Sequence, residues 1–184
     1  KKKHDHFILN TKKNILIFND IRKFGFIDLL KTKEIYKKDY IIRLGMDALD
    51  NKLNVKYLQT KIGKSIVPIK QILLDQRIIA GIGNIYASEI LYDAKISPFV
   101  QGSYLDVISL KRLIKSIRKI LIKAIESGGT SIRNYISTDG TLGNFQNKFK
   151  VYDKENKNIL GFKIKRVVQY GRSTFYCPDI QIVN

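Results

Sequence analysis

One stretch in the middle of the chain, residues 75–89, constrains the fold more than any other. Its sequence is DQRIIAGIGNIYASE. Before it, apolar residues recur at helical spacing over residues 69–79, with Lys70 and Arg77 at polar positions. After it, apolar residues recur at helical spacing over residues 86–94. The stretch therefore predicts two helices joined by a tight turn.

The turn itself carries two glycines and an asparagine. Gly81 and Gly83 permit positive φ and leave no side chain above the backbone, and Asn84 is a predicted N-cap of the second helix. Bare amides before a helix N-terminus form an anion site. A helical hairpin without a ligand is the alternative, whereas a dinucleotide-binding turn is excluded because it needs a preceding strand and a third glycine.

Composition indicates the class of partner. The 184 residues include 34 Lys and Arg against 16 Asp and Glu, a net charge of +18. Such an excess favours a polyanion, most simply nucleic acid, although an AT-rich genome also raises the lysine content. The sequence has no apolar run long enough to span a membrane. One cysteine, Cys177, excludes an internal disulfide and fits a reducing cytosol.

Elsewhere along the chain, the hydrophobic pattern predicts strands and helices in separate regions. A β-hairpin is expected over residues 6–18, and helices are expected at 55–63 and 109–126. Ser109 is placed to cap the last of these, and Gly128 with Gly129 ends it. Further strands are expected at residues 24–30, 148–152, 162–168 and 173–176. Since the sequence opens at Lys1 without a methionine, we expect a fragment of a longer protein.

The motif at 75–89, together with segments in the same order along the chain, resembles the bacterial formamidopyrimidine-DNA glycosylase family. The other segments are Lys3-His4-Asp5-His6, Asp20-Ile21-Arg22-Lys23-Phe24-Gly25, Gly128-Gly129-Thr130, Asp139-Gly140 and Gly171-Arg172-Ser173-Thr174-Phe175-Tyr176-Cys177-Pro178. The resemblance implies a base-excision-repair DNA glycosylase and AP lyase that removes oxidised purines (formamidopyrimidine, 8-oxoguanine).

The resemblance also implies an α+β fold with four parts. These are a partial N-terminal β-sandwich (1–46), a linker (47–54), a helical helix–two-turn–helix domain (55–146) and a C-terminal antiparallel β-hairpin (147–184). A lid loop over residues 127–146 is expected to close on the extruded base. The family's nucleophile is an N-terminal proline followed by a glutamate. Neither residue is in this sequence, so no catalytic residue is assigned and the chain alone is expected to be inactive.

The resemblance assigns the remaining site residues to DNA binding. In the family, residues matching Arg22 and Phe24 fill the gap left by a flipped base. Ile21 replaces the usual proline and Lys23 a second arginine, and ordinary core packing is the alternative role for Phe24. The predicted DNA contacts are His4, His6, Arg22, Lys23, Phe24, Arg77, Gly81, Gly83, Asn84 and Arg172. For the two histidines a structural role is the alternative.

The C-terminal hairpin departs from the family pattern at its zinc site. Where the family has four cysteines, this sequence has Lys157, Leu160, Cys177 and Ile180. One Cys and two His cannot supply an ordinary four-ligand zinc site. We therefore expect no metal and no other cofactor, with Leu160 and Ile180 replacing the metal by an apolar contact.

The expected partner is double-stranded DNA with an oxidised base or an abasic site, bound by a cytoplasmic, nucleoid-associated monomer. Two other functions stay open from the residues: a non-catalytic DNA-binding module, and an RNA-binding protein with a similar helical hairpin. The Arg-x-Phe-Gly segment and the Gly-Arg-Ser-Thr hairpin argue against the second.

Overall fold

The computed structural model describes residues 2–131 and 143–182, and the chain divides into two compact units between Ile41 and Ile42. A linker was expected at residues 47–54. In the structure Ala48 and Leu53, inside that range, are buried in the core of the second unit. These two side chains anchor the segment to a packed domain.

The first unit contains the expected β-hairpin. Strands β1 (Asp5–Asn10) and β2 (Ile15–Asn19) pair antiparallel, with Ile8 opposite Ile17. A 3₁₀ turn over Thr32–Lys37 and a short helix α1 (Asp39–Ile42) follow, and the last residue of the helix is the first of the second unit. The strand expected at 24–30 is wrong, because in the described structure these residues join no strand ladder.

Within its described residues, the second unit is built on four helices: α2 (Val55–Ile62), α3 (Ile69–Leu74), α4 (Asn84–Asp93) and α5 (Val107–Glu126). Their apolar faces meet in one core, with Leu58, Leu73, Leu91, Leu113 and Ile117 fully buried. At about 25 cal/mol per Å² of apolar area removed from water, burial of these side chains is the main stabilising contribution. The helices expected at 55–63 and 109–126 are confirmed.

Two helix termini differ from the expected ones. Helix α5 begins two residues earlier than expected, because Asp106 and not Ser109 caps it, its carboxylate accepting the Ser109 N–H at 2.7 Å. Helix α3 ends at Leu74 although the apolar spacing continues to Ile79. The Asp75 carboxylate accepts the Arg77 N–H at 3.0 Å, and this turn replaces the next helical turn.

In the part of the second unit that the structure describes, the strands form three small sheets. They are β3 (Met46–Asp47) parallel to β4 (Ile79–Ala80), β5 (Asn158–Ile159) antiparallel to β6 (Phe162–Lys163), and β7 (Lys165–Gln169) antiparallel to β8 (Arg172–Tyr176). The fold is thus α+β, with a C-terminal antiparallel hairpin.

The strand expected at 148–152 is wrong for an electrostatic reason. The buried carboxylate of Glu89, on α4, accepts the backbone N–H groups of Lys150, Val151 and Tyr152 at 2.8–2.9 Å. These amides therefore bind a helix side chain and not a neighbouring strand. Within the described part of the chain, no helix has the length and apolar character needed to cross a membrane.

Candidate nucleic-acid interface

The turn between α3 and α4 is held in shape by the side-chain amide of Gln76. Its Oε1 accepts the Gly81 N–H at 2.8 Å, and its Nε2 donates to the Ile82 carbonyl at 2.9 Å. Gly81 has φ +98°, the left-handed region that glycine favours. Gln76 lies within the helically spaced stretch 69–79, and that local spacing carries no signal of its role in the turn.

Neither glycine of this turn is required by crowding within the described protein. A Cβ added to Gly81 or Gly83 would meet nothing within 4 Å, whereas one added to Gly45 or Gly143 would collide with backbone atoms. Gly83 does not use the positive φ that glycine permits, since its φ is −105°. Its conformation suits any residue, so its missing side chain leaves open surface in front of α4.

Helix α4 begins at Asn84, and Gly83 occupies the N-cap position. The prediction of Asn84 as the cap is therefore wrong. Its side chain instead crosses to the C-terminal hairpin, where Nδ2 donates to the Ser173 carbonyl at 3.0 Å. No side chain of the described residues caps the first turn of α4. These N–H groups therefore remain available to an anion.

Lys70, on α3, joins the helices to the same point of the hairpin. Its amine is buried and donates to the Ser173 carbonyl at 2.8 Å and to the Thr174 hydroxyl at 2.7 Å. Thr174 in turn donates to Gln169 at 2.7 Å. Burial, with a smaller effect of the Arg172 charge, lowers the pKa of Lys70 to about 8. Its position on the polar face of a predicted helix did not reveal this buried role.

The hairpin thereby places Arg172 beside the glycine turn. Arg172 directly precedes Ser173, the residue whose carbonyl both Lys70 and Asn84 bind. The exposed Arg172 side chain, the open glycines and the α4 amides are brought together in one region. Four predicted contacts, three in the turn and one in the distant hairpin, therefore lie on a single basic surface, called here the phosphate turn (Gly81, Gly83, Asn84 and Arg172).

Arg77 lies at the start of the same turn but has a partner there. Its guanidinium binds both carboxylate oxygens of Asp75, at 2.9 and 2.7 Å, and remains largely exposed. The Arg77 hydrogen bond lowers the pKa of Asp75. The pairing thus holds the Arg77 guanidinium in one orientation at the edge of the phosphate turn, largely exposed to solvent.

In the first unit, Arg22 and Phe24 are the wedge residues, predicted to fill the gap left by a flipped base. They lie on a loop shaped by Asp20. The Asp20 carboxylate accepts the N–H groups of Gly25 at 2.6 Å and Arg22 at 2.9 Å, and the Gly25 bond lowers its pKa. Phe24 is 78% exposed, so it packs into no core formed by the described residues. The Arg22 guanidinium lies over the Phe24 ring at 4.9 Å, and Lys23 has φ +57°.

The two histidines both hydrogen-bond to Asp20, His6 through its side chain and His4 through its backbone. His6 Nε2 donates to the Asp20 carbonyl at 2.9 Å, so its ring supports the start of the loop. His4 accepts the Asp20 N–H at its backbone carbonyl, 3.1 Å away, and its side chain is half-buried.

The two ends of the predicted lid are hydrogen-bonded to each other at a neck formed by residues 130–131 and 143–146. Thr130 and Asn144 form a β-bridge, and Gln146 accepts the Ser131 N–H at 3.2 Å while donating to the Gly143 carbonyl at 2.7 Å. Residues 132–142 of the lid lie outside the described residues. Beside the neck, a cleft of about 410 Å³ opens between Gly81 and Gly128–Gly129.

The residues at the family's zinc positions do not fit that metal. Alkyl side chains at Leu160 and Ile180 cannot coordinate zinc, and a lysine at 157 is a poor ligand beside the single thiol of Cys177. Over residues 2–131 and 143–182, no three His, Cys, Asp or Glu side chains cluster as a metal site.

The apolar contact expected to replace the metal is also wrong in its residues. Leu160 is 81% exposed, with φ +52°, at the turn between β5 and β6. The hairpin is instead packed around the buried side chains of Val151, Ile164 and Phe175.

Comparison with known proteins identifies the family. The model of the formamidopyrimidine-DNA glycosylase H2TH domain matches residues 44–136. Formamidopyrimidine-DNA glycosylase of Dinoroseobacter shibae is 43% identical over 184 residues, covering 97% of this chain and 65% of that protein. The same enzyme of Zymomonas mobilis is 44% identical over 181 residues, covering 97% and 67%.

Solved structures agree with the sequence relatives. MutM (Fpg) of Thermus thermophilus matches with a TM-score of 0.91 at 32% identity, over 98% of this chain and 70% of that one. Lactococcus lactis Fpg in complex with abasic-site DNA matches with a TM-score of 0.89 at 36% identity, over 98% and 67%. The chain spans about two thirds of the length of the curated relatives it matches. On the matched domain, the identity and the shared fold, the chain belongs to the formamidopyrimidine-DNA glycosylase family.

Proposed function

We propose that this chain provides the damaged-DNA recognition part of a base-excision-repair DNA glycosylase and AP lyase. Its partner is duplex DNA with an oxidised purine or an abasic site. In this proposal the protein is a monomer that acts in the cytoplasm, at the nucleoid. The names of its relatives and the abasic-site DNA bound by Lactococcus lactis Fpg support this assignment.

The observation that carries the proposal is the open surface at Gly83. Its φ is ordinary and an added Cβ would meet nothing within 4 Å. A glycine in such a place costs backbone entropy without any gain within the described protein. A DNA phosphate bound by the α4 amides explains it, since a side chain there would block close approach of the phosphate.

Cationic and amide groups around this surface would complete phosphate binding. Arg172 is exposed beside it, and Asn84 is held at its edge by the Ser173 carbonyl. Arg77 is paired with Asp75 by two hydrogen bonds and keeps an exposed guanidinium at the edge of this surface. These groups contact backbone phosphate, so they fix position on the duplex and carry no base preference.

In the first unit, Arg22 and Phe24 would enter the base stack. The exposed Phe24 ring would replace stacking lost when a base leaves the helix. Arg22, with several N–H donors, would hydrogen-bond the unpaired opposite base. His6, on β1, and His4, just before it, would support the loop, and Lys23 would lie against a phosphate.

We also propose that the C-terminal hairpin functions without zinc. Its support is the donor set, with one thiol among the four family positions, and the packed cluster of Val151, Ile164 and Phe175. The contacts of Lys70 and Asn84 with Ser173 would then orient the hairpin relative to the helices.

The test compares alanine at the two glycines of the phosphate turn. Gly83→Ala should leave the melting temperature unchanged or slightly raised, since alanine lowers unfolded-state entropy at a compatible φ. Its affinity for a duplex carrying a tetrahydrofuran abasic-site analogue should fall at least several-fold, measured by fluorescence anisotropy. Gly81→Ala, at φ +98°, should lower the melting temperature as well.

A matched change at Asn84 refines the test. Asn84→Ala should weaken binding to intact and abasic duplexes by the same factor, because its contact is with the DNA backbone. Unchanged affinity of Gly83→Ala for both duplexes would overturn the phosphate-turn proposal.

A further inference from the structure

The tip of the β7–β8 hairpin contains a residue that its turn does not favour. Strands β7 and β8 are joined by two residues, Tyr170 and Gly171, with φ +49° and +74°. Two positive φ values define a type I′ turn, which favours Asn-Gly. A tyrosine is strained in the left-handed region, so turn stability does not account for Tyr170.

The tyrosine is also not used in packing. Its side chain is 72% exposed, and the neighbouring Val168 is 66% exposed. Within the described residues, the Tyr170 ring and hydroxyl have no hydrogen-bond, ring or ion-pair partner. A largely exposed aromatic side chain without such a partner among the described residues suits an external partner.

The charges around the tip favour a polyanion as that partner. Arg172 follows the turn and is exposed. Arg166 lies on β7, its guanidinium donating to the Ser173 hydroxyl at 3.0 Å, with one weak pairing to Glu155 at 4.0 Å. The tip therefore combines exposed apolar surface with two arginines, as nucleic-acid sites do.

The tip is continuous with the phosphate turn. Ser173, three residues after Tyr170, accepts hydrogen bonds from both Lys70 and Asn84. A duplex whose backbone is bound by Asn84 and Arg172 would therefore pass within reach of a tyrosine side chain two residues before Arg172.

We propose that Tyr170 contacts the DNA, its ring packing on the nucleotide next to the phosphate that Arg172 binds. This inference rests on the proposed function. The ring supplies a stacking or sugar-packing surface that is tolerant of base identity. The turn strain is thus offset when DNA is bound and remains a cost in the free protein.

The decisive variant is Tyr170→Asn, because its two expected effects have opposite signs. Asparagine is favoured in a type I′ turn, so the free chain should melt at the same or a higher temperature. Affinity for an abasic-site duplex should fall about 5-fold or more, in the range of a lost base–aromatic contact. Tyr170→Phe should retain most of the affinity if the ring is the contacting group.

The matched control is Tyr104→Asn. Tyr104 is a similarly exposed tyrosine on the 3₁₀ turn Gly102–Tyr104, and its loss should leave DNA affinity unchanged. Wild-type affinity for Tyr170→Asn, alongside weakened Gly83→Ala, would overturn this inference and leave the proposed function intact. A lowered melting temperature for Tyr170→Asn would overturn the strain argument. Absence of DNA binding by the wild type would overturn both proposals.

Discussion

At the scale of single residues, three polar side chains that are fully or partly buried connect elements distant along the chain. Lys70 and Asn84 both bind the Ser173 carbonyl, and Glu89 binds the amides of residues 150–152. Buried polar groups are costly unless they are hydrogen-bonded, so each of these side chains specifies one arrangement of its partners.

Phe24 provides the first prediction at this scale. Because the ring is exposed, Phe24→Ala should change the free energy of unfolding by no more than about 0.5 kcal/mol. Binding to abasic-site DNA should weaken by about 1–3 kcal/mol, with little change for intact duplex. Thermal melting and anisotropy on the same variant measure both.

The control is Phe26→Ala. Phe26 is also exposed, but its ring meets Tyr40 edge-on at 5.1 Å. We expect the Phe26→Ala substitution to leave the preference for abasic-site DNA over intact duplex unchanged. Equal loss of both affinities together with a large loss of stability in Phe24→Ala would contradict the wedge role.

Lys70 makes stability depend on pH in a defined direction. Its pKa is lowered from 10.5 to about 8 in the folded protein, so the unfolded chain holds the proton more tightly. Stability therefore increases with pH between about 8 and 10.5. The difference in unfolding free energy between wild type and Lys70→Met should shift in favour of the wild type across this window.

Denaturant titrations of both proteins at several pH values measure that shift. Lys56→Met, an exposed lysine on α2, is the control and should show no such trend. A difference independent of pH would mean that Lys70 keeps an ordinary pKa.

At the scale of elements, α4 carries both the phosphate turn at its start and a structural carboxylate within it. Glu89→Gln leaves one oxygen acceptor but turns an N–H₂ group towards backbone N–H donors. This change should cost about 1–3 kcal/mol of stability, measured by denaturant unfolding. Glu126→Gln, at the exposed end of α5, should cost close to nothing.

The C-terminal hairpin gives a prediction about metal. Purified protein should contain far less than one zinc per chain, and EDTA should leave its melting temperature unchanged. The reason is that Lys157, Leu160 and Ile180 supply no thiolate or imidazole. Metal analysis that finds about one zinc per chain would contradict the zinc-free hairpin.

At the scale of the whole molecule, a net charge of +18 makes salt the main control of DNA binding. The logarithm of the binding constant should fall linearly with the logarithm of salt concentration, by about 0.9 for each phosphate neutralised. Arg172→Gln should reduce this slope by about one unit. Anisotropy titrations over about 50 to 200 mM salt measure the slope.

Lys111→Gln is the control, since Lys111 lies on the exposed basic face of α5, to which no DNA contact is assigned. An unchanged slope for Arg172→Gln would mean that Arg172 binds no phosphate.

Local patterns were sufficient to predict elements in both units. The α5 helix, the α2 helix and the β1–β2 hairpin follow from apolar spacing and turn residues, because each depends on contacts between near neighbours. The glycine turn was also predicted, although only the structure distinguishes Gly81, with positive φ, from Gly83. Helix ends were less predictable, since Asp75 and Asp106 compete with the apolar pattern.

The sequence by itself thus determined the family, the order of the helices and the candidate DNA contacts, because motif spacing and charge are properties of the chain. Tertiary structure alone decided that Asn84 binds Ser173, that Lys70 is buried, and that residues 150–152 bind Glu89. The physical reason is that a polar side chain takes whichever partner folding brings within hydrogen-bond distance. That partner lies 61 to 104 residues away in these cases, beyond any local pattern.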